Sequence, residues 1–111
     1  IAEKLSTPQS VERTPEEQAE VDRACENLAL YQFRTCPFCV RVRKEIARLG
    51  LKKIEVRDAQ LDHEHREALA KGGGRIKVPC LKITHEDGSD EWLYESDAIN
   101  AWLHKRFGKA A

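Results

Sequence analysis

A chain of 111 residues fits one compact domain and falls short of two. Nineteen basic and nineteen acidic side chains balance to a formal net charge of +0, so the broad basic field that grips nucleic acid or an anionic membrane is absent. With 41% hydrophobic and 34% charged residues, 6 Gly and 4 Pro, the composition excludes collagen, coiled coil, a disulfide-built miniprotein and a wholly disordered chain. No apolar run nears the roughly 18 residues that span a bilayer, and no secretory signal core is visible. The start at Ile1 rather than Met fits a fragment or processed product, and any membrane anchor would lie upstream of that residue.

Residues 1–13 are polar, carry Pro8 and have no sustained period, which reads as a flexible linker ahead of a domain over 14–111. Thr14-Pro15-Glu16-Glu17 is a helix start: a capping threonine, a proline suited to the first turn, and a glutamate that closes a capping box. A short surface helix to about Cys25 follows. Leu28 to Phe33 is a largely apolar strand, expected to be buried on both faces. Arg34-Thr35-Cys36-Pro37 breaks it and opens a helix that runs to Leu49, with Gly50 as its stop. Along that helix Cys39, Val42, Ile46 and Leu49 form one apolar stripe, while Arg41, Lys44, Glu45 and Arg48 make the solvated face. The stripe puts Cys39 inside and leaves Cys36 at the exposed tip.

Lys53–Arg57 is a second strand, in which Ile54 and Val56 alternate with charge. Asp62 caps a polar helix to about Lys71, stopped by Gly72-Gly73-Gly74. Val78–Ile83 and Glu91–Tyr94 make a hairpin around the turn Glu86-Asp87-Gly88-Ser89. Ser96 caps a last helix with the stripe Ile99, Trp102, Leu103 and Phe107. After the first helix the order is β-α-β-α-β-β-α. It predicts an α/β domain with a mixed four-stranded sheet flanked by helices.

Four cysteines are too few to build a disulfide scaffold here, and Cys36 and Cys39 stand in a C-x-x-C with no second pair to complete a four-cysteine zinc site. His63, His65, His85 and His104 are scattered surface positions, so no metal site is expected. Cys36 falls at a helix N-terminus, where free N–H groups and the helix dipole favour a thiolate, and Arg34 and Arg41 lie nearby in sequence. Cys39, one turn on, can attack a mixed disulfide formed on Cys36. The plain alternatives are two unrelated cysteines, a metal knuckle, or an iron–sulfur cluster held by Cys36. Cys25 and Cys80 read as passive core residues.

Thr35-Cys36-Pro37-Phe38-Cys39 resembles the Cys-Pro-Tyr-Cys active site of dithiol glutaredoxins. Val78-Pro79 resembles the Val–cis-Pro of that family, and Glu95-Ser96-Asp97 resembles its γ-glutamyl-binding segment. Trp92 to Ile99 is also similar to the N-terminal domain of glutathione transferases. The resemblance covers about residues 27–107 and implies a thioredoxin-like fold. It further implies that Cys36 is the nucleophile taking glutathione as a mixed disulfide, that Cys39 is the resolving thiol, and that Pro79 is cis. The backbone of Val78 would pair with the cysteinyl part of glutathione, and Ser96 and Asp97 would hold its γ-glutamyl end. Each has a plain reading beside it: Pro79 as a strand start, Ser96 as an N-cap, Asp97 as a first-turn acid, and Phe38 as a packing side chain rather than an aromatic offered to substrate.

Three departures stand out. Phe33 occupies the place of a usual lysine, Lys77 that of a threonine, and Tyr94-Glu95 that of a Gly-Gly pair. Arg34, Arg75 and Lys77 are therefore the candidates for the glycine carboxylate of glutathione. The expected activity is reduction of glutathione mixed disulfides and protein disulfides. Glutathione serves as co-substrate, disulfide-bearing or glutathionylated proteins are the partners, and the cytoplasm is the compartment. Because the chain ends at Ala111, before any electrophile-binding domain, the oxidoreductase reading is preferred to a transferase one.

Overall fold

The computed structural model describes residues 9–108; residues 1–8 of the expected linker and 109–111 of the expected domain lie outside them. The elements follow in the expected order: α1 (Pro15–Cys25), β1 (Leu28–Gln32), α2 (Pro37–Arg48), β2 (Glu55–Asp58), α3 (His63–Gly73), β3 (Cys80–Thr84), β4 (Asp90–Tyr94) and α4 (Ser96–Phe107). The four strands form one sheet in the order β2-β1-β3-β4. β1 runs parallel to β2 and antiparallel to β3, with Leu30 opposite Val56 on one side and Leu81 on the other. β3 and β4 are the antiparallel hairpin, in register from Cys80↔Tyr94 to Thr84↔Asp90.

β1 is buried along its whole length because the sheet carries a layer on each face. Leu28 and Leu30 point to the side of α1, α2 and α4, where Val42, Leu49, Leu81, Ile99 and Leu103 close the main core. Ala29 and Tyr31 point to α3, packing with Ala59, Leu69 and Cys80. Strand alternation thus shares one apolar run between two cores. Val56 is an exception to the expected pattern: at the sheet edge it is 45% exposed, and Ile54 is buried just before the strand begins.

Local chemistry explains the ends of the helices. Thr14 accepts from the Glu17 amide at 3.1 Å while the Glu17 carboxylate accepts from the Thr14 amide at 2.9 Å, and Pro15 fills the first turn. Residues 9–13 lie against the far ends of two other helices. The amides of Ser10 and Val11 donate to the Arg48 carbonyl at 2.9 and 3.4 Å. The Arg13 guanidinium donates to the carbonyls of Leu49 at 2.6 Å and Phe107 at 2.9 Å. These carbonyls are among those a helix C-terminus leaves unpaired.

Two helix boundaries differ from the sequence reading. Helix α3 does not stop at Lys71 but continues through Gly72 and Gly73, and Gly74 closes it at φ 89°. The first two glycines serve close approach to β4. A Cβ on Gly72 would stand 2.0 Å from the Trp92 ring, and one on Gly73 would stand 1.9 Å from the Tyr94 hydroxyl oxygen. Trp92 has little room to yield, since the Tyr31 ring lies 5.3 Å away, centroid to centroid. Gly72→Ala is therefore expected to lower stability by about 1–2 kcal/mol despite the better helix propensity of alanine, read as a lower urea midpoint. Helix α4 is the second case. Ser96 is its first helical residue and not its cap; Glu95 holds the cap position at φ 79° and makes no side-chain capping bond.

Candidate active site

β1 ends at Gln32, and the chain turns through Phe33 to Thr35 before α2 begins. Cys36 is the cap residue of α2 (φ −68°, ψ 124°) with Pro37 directly inside. Its amide donates to the Phe33 carbonyl at 3.3 Å, which fixes the turn. Cys36 is partly exposed and Cys39 is fully buried; all four cysteines are free thiols.

The two thiols of the motif are driven apart. Partial burial works against a Cys36 thiolate, but the Cys39 amide and thiol, the Phe38 amide and the Arg43 charge outweigh it and hold Cys36 below the ordinary thiol value. Burial pushes Cys39 up to about 11, and the neighbouring Cys36 adds to this against the Phe33 amide, which donates to Cys39 Sγ at 3.5 Å. The result is an outer thiol that ionises more readily than an ordinary one and an inner thiol kept protonated. Arg43, rather than Arg34 or Arg41, supplies the cation. It is anchored by hydrogen bonds to the Gln32 side-chain oxygen and, at 2.9 Å, to the Arg34 carbonyl. Its place seven residues after Cys36 was a usable signal, because two helical turns return to the same face.

Phe38, Lys77, Val78, Pro79, Ser96 and Asp97 line one groove of about 330 Å³. Arg41 and Glu95, which the sequence reading did not assign to the site, complete its walls. The Val78–Pro79 peptide is cis, directly before β3. Arg41 does not lie free on a solvated face. It donates to Asp97 Oδ1 at 2.8 Å and to Ser96 Oγ at 3.4 Å, tying α2 to the start of α4. On the other wall Lys77 pairs with Glu95. Two of the sequence departures, Lys77 and Glu95, are thus partners of each other.

Of the three candidates for a ligand carboxylate, Lys77 lines the groove. Arg75 lies over the Tyr94 ring at 4.6 Å, and Arg34 sits in the loop before Cys36, outside the lining. Phe38 is 56% exposed and so offers its ring to the groove and to solvent rather than to the core. Cys25 and Cys80 are buried, with thiols pushed up to about 11 and about 12 by burial. Among the described residues no three His, Cys, Asp or Glu side chains are grouped to hold a metal ion. No helix among them is long and apolar enough to cross a membrane.

A four-stranded mixed sheet with a Cys-x-x-Cys at the start of α2, beside a cis-proline loop and the start of α4, defines a thioredoxin-like domain. The family model described as glutathione S-transferase, N-terminal domain, matches residues 30–111, and the chain belongs to that family. Comparison with curated proteins gives no match.

Among solved structures, maleylacetoacetate isomerase from Anaeromyxobacter dehalogenans 2CP-1, with GSH bound in its active site, is 32% identical with a TM-score of 0.57. The match covers 77% of this chain but 39% of that one, so the chain spans well under half the isomerase's length. Wheat glutaredoxin is 24% identical over 82% of this chain and 84% of its own, with a TM-score of 0.52. A buckwheat glutaredoxin–glutathione complex is 18% identical over 86% and 89%, with a TM-score of 0.54. The glutaredoxins share the fold at nearly full length.

Proposed function

We propose that this domain is a glutathione-dependent thiol–disulfide oxidoreductase. The observation that carries the reading is the opposed pair of thiols: Cys36 partly exposed and held below the ordinary thiol value, Cys39 buried and pushed up to about 11. A redox pair needs that division of labour, with the thiolate attacking and the protonated partner waiting. The groove beside it suits a small peptide bearing charges at both ends. A ligand carboxylate would compete with Glu95 for Lys77, a ligand ammonium would share Asp97 with Arg41, and the Val78 backbone in the same groove offers an edge for strand pairing. That an isomerase of similar sequence and a glutaredoxin of similar fold bind glutathione supports the choice of ligand.

In the cycle, the Cys36 thiolate attacks the glutathione sulfur of a mixed disulfide. The substrate thiolate leaves and takes up a proton, and glutathione remains disulfide-bonded to Cys36. The thiolate of a second glutathione attacks that bond, releasing oxidised glutathione and restoring the Cys36 thiolate. With a protein disulfide, Cys39 resolves the mixed disulfide on Cys36 instead, and glutathione then reduces the Cys36–Cys39 disulfide. The cycle draws on reduced glutathione, the condition of a reducing cytoplasm.

The test is a glutathione-coupled assay on a small mixed disulfide. Turnover is expected, and its absence in the parent chain would sink the proposal. Asp97→Asn is expected to raise the apparent KM for glutathione about fivefold with kcat little changed, in keeping with the modest worth of an exposed charge contact.

A further inference from the structure

The chain is neutral overall, yet the rim of Cys36 is not. Five cations lie on the segments around the thiol and its groove: Arg41 and Lys77 line the groove, Arg43 acts on Cys36, Arg34 is two residues before it, and Arg75 is two residues before Lys77. Two carboxylates answer them, and each is already paired, Asp97 with Arg41 and Glu95 with Lys77. The other three cations are in no ion pair among the described residues. Arg43 bonds the Gln32 side chain and the Arg34 carbonyl, Arg75 lies over Tyr94, and Arg34 is exposed in the loop two residues before the nucleophile. Of the three, Arg75 alone also feels a carboxylate, that of Glu95, which Lys77 already pairs.

Two large apolar side chains are exposed on the segments that carry this rim: Phe38, 56% exposed, one residue inside α2, and Ile76, 42% exposed, between Arg75 and Lys77. An exposed aromatic among unpaired arginines is the composition of a protein-binding surface rather than of an ordinary solvated face.

We infer that this rim docks the protein half of the substrate, and that the preferred partner is a segment with acidic residues flanking its reactive cysteine. The inference rests on the oxidoreductase reading and adds the substrate class to it. The groove takes the glutathione half of a mixed disulfide, so the leaving polypeptide must cross the rim, where Arg34, Arg43 and Arg75 face whatever it carries. Acidic flanks neutralise these charges; basic flanks repel them. Because the rim is open to solvent, the effect falls mainly on the rate of productive encounter and is screened by salt.

The experiment uses two glutathionylated peptides of equal length, identical except that aspartates flank the cysteine in one and lysines in the other. Each rate is divided by the rate with glutathione alone. This matters because lysine flanks make the better leaving thiolate and so bias the chemistry against the expected result. At about 10 mM ionic strength the aspartate peptide is expected to have roughly tenfold the normalised kcat/KM of the lysine peptide, falling towards unity at about 0.5 M. Arg34→Glu combined with Arg75→Glu is expected to abolish or invert the ratio, with Arg34→Lys keeping it.

A ratio near one at low salt, or one that the charge reversal leaves in place, overturns the docking proposal while turnover of both peptides upholds the oxidoreductase reading. Failure to turn over either peptide and a small glutathione mixed disulfide whose other half is uncharged overturns that reading and the docking proposal with it.

Discussion

Cys36→Ser is expected to abolish glutathione-coupled reduction, by roughly a thousandfold or more, since an alcohol cannot replace a thiolate in disulfide exchange. Cys39→Ser is expected to retain reduction of small glutathione mixed disulfides, because a second glutathione resolves the Cys36 intermediate without it, and to lose reduction of protein disulfides. The pH profile carries a further sign. Cys36 is held below the ordinary thiol value, so its alkylation by iodoacetamide should stay fast as pH falls through the range where a free thiol has already slowed. Arg43→Ala removes the cation that favours the thiolate and should shift this profile upward. An alkylation profile matching that of free glutathione would refute the lowered Cys36 value. Loss of both activities in Cys39→Ser would point to obligate dithiol chemistry.

Stability should fall steeply at alkaline pH. Cys25, Cys39 and Cys80 are buried and remain protonated in the fold to about 11, about 11 and about 12. In the unfolded chain they ionise at ordinary thiol values. Raised folded values mean that the stability these groups contribute is fully present below the unfolded value and is lost as pH rises through the folded ones. Above the unfolded value each thiol removes up to about 1.4 kcal/mol per pH unit. Three together approach about 4 kcal/mol per unit, against a total stability of about 5–15 kcal/mol for an ordinary domain. Urea midpoints under reducing conditions should therefore hold to about pH 8 and drop sharply by about pH 10. Cys36 has the opposite sign: its lowered value contributes stability above the ordinary thiol pKa that is lost as pH falls through the folded one. Replacing Cys25 and Cys80 by alanine should flatten the alkaline slope by about two thirds, at some cost in stability at neutral pH. An unchanged slope would show that other groups govern it.

What could be read from the chain was what adjacent residues decide. The apolar run at β1, the stripe from Cys39 to Leu49 and the Thr14–Glu17 box are local, and the C-x-x-C between strand and helix carries its chemistry in its spacing. The site's second wall is not local. Arg41 meets Asp97 across 56 positions of sequence, and charge on an amphipathic helix looks solvated until another helix end is placed beside it. Gly72 and Gly73 looked like a helix stop because glycine is usually a poor helix former; here the rings of Trp92 and Tyr94 require the missing side chains. Glu95 hid its backbone role altogether. A glutamate at φ 79° occupies a place for which the glutaredoxin pattern uses glycine, and only the folded backbone reveals the left-handed turn.

Arg13 gives the boundary of the working unit a mechanical meaning. The family match begins at residue 30, yet α2, the helix that Cys36 heads, is splinted from outside that span. Its C-terminal end is gripped by Ser10, Val11 and Arg13, and its first turns are moored to α4 through Arg41. Arg13 also holds the last carbonyl of α4, so a single guanidinium joins the two helices at the end remote from the groove. The region recognisable by descent and the region tied together by hydrogen bonds are therefore different lengths of chain. An excised piece starting at residue 30 would carry both thiols and every groove residue, yet lose the brace between α2 and α4 together with α1 and the core residues Cys25, Leu28 and Ala29.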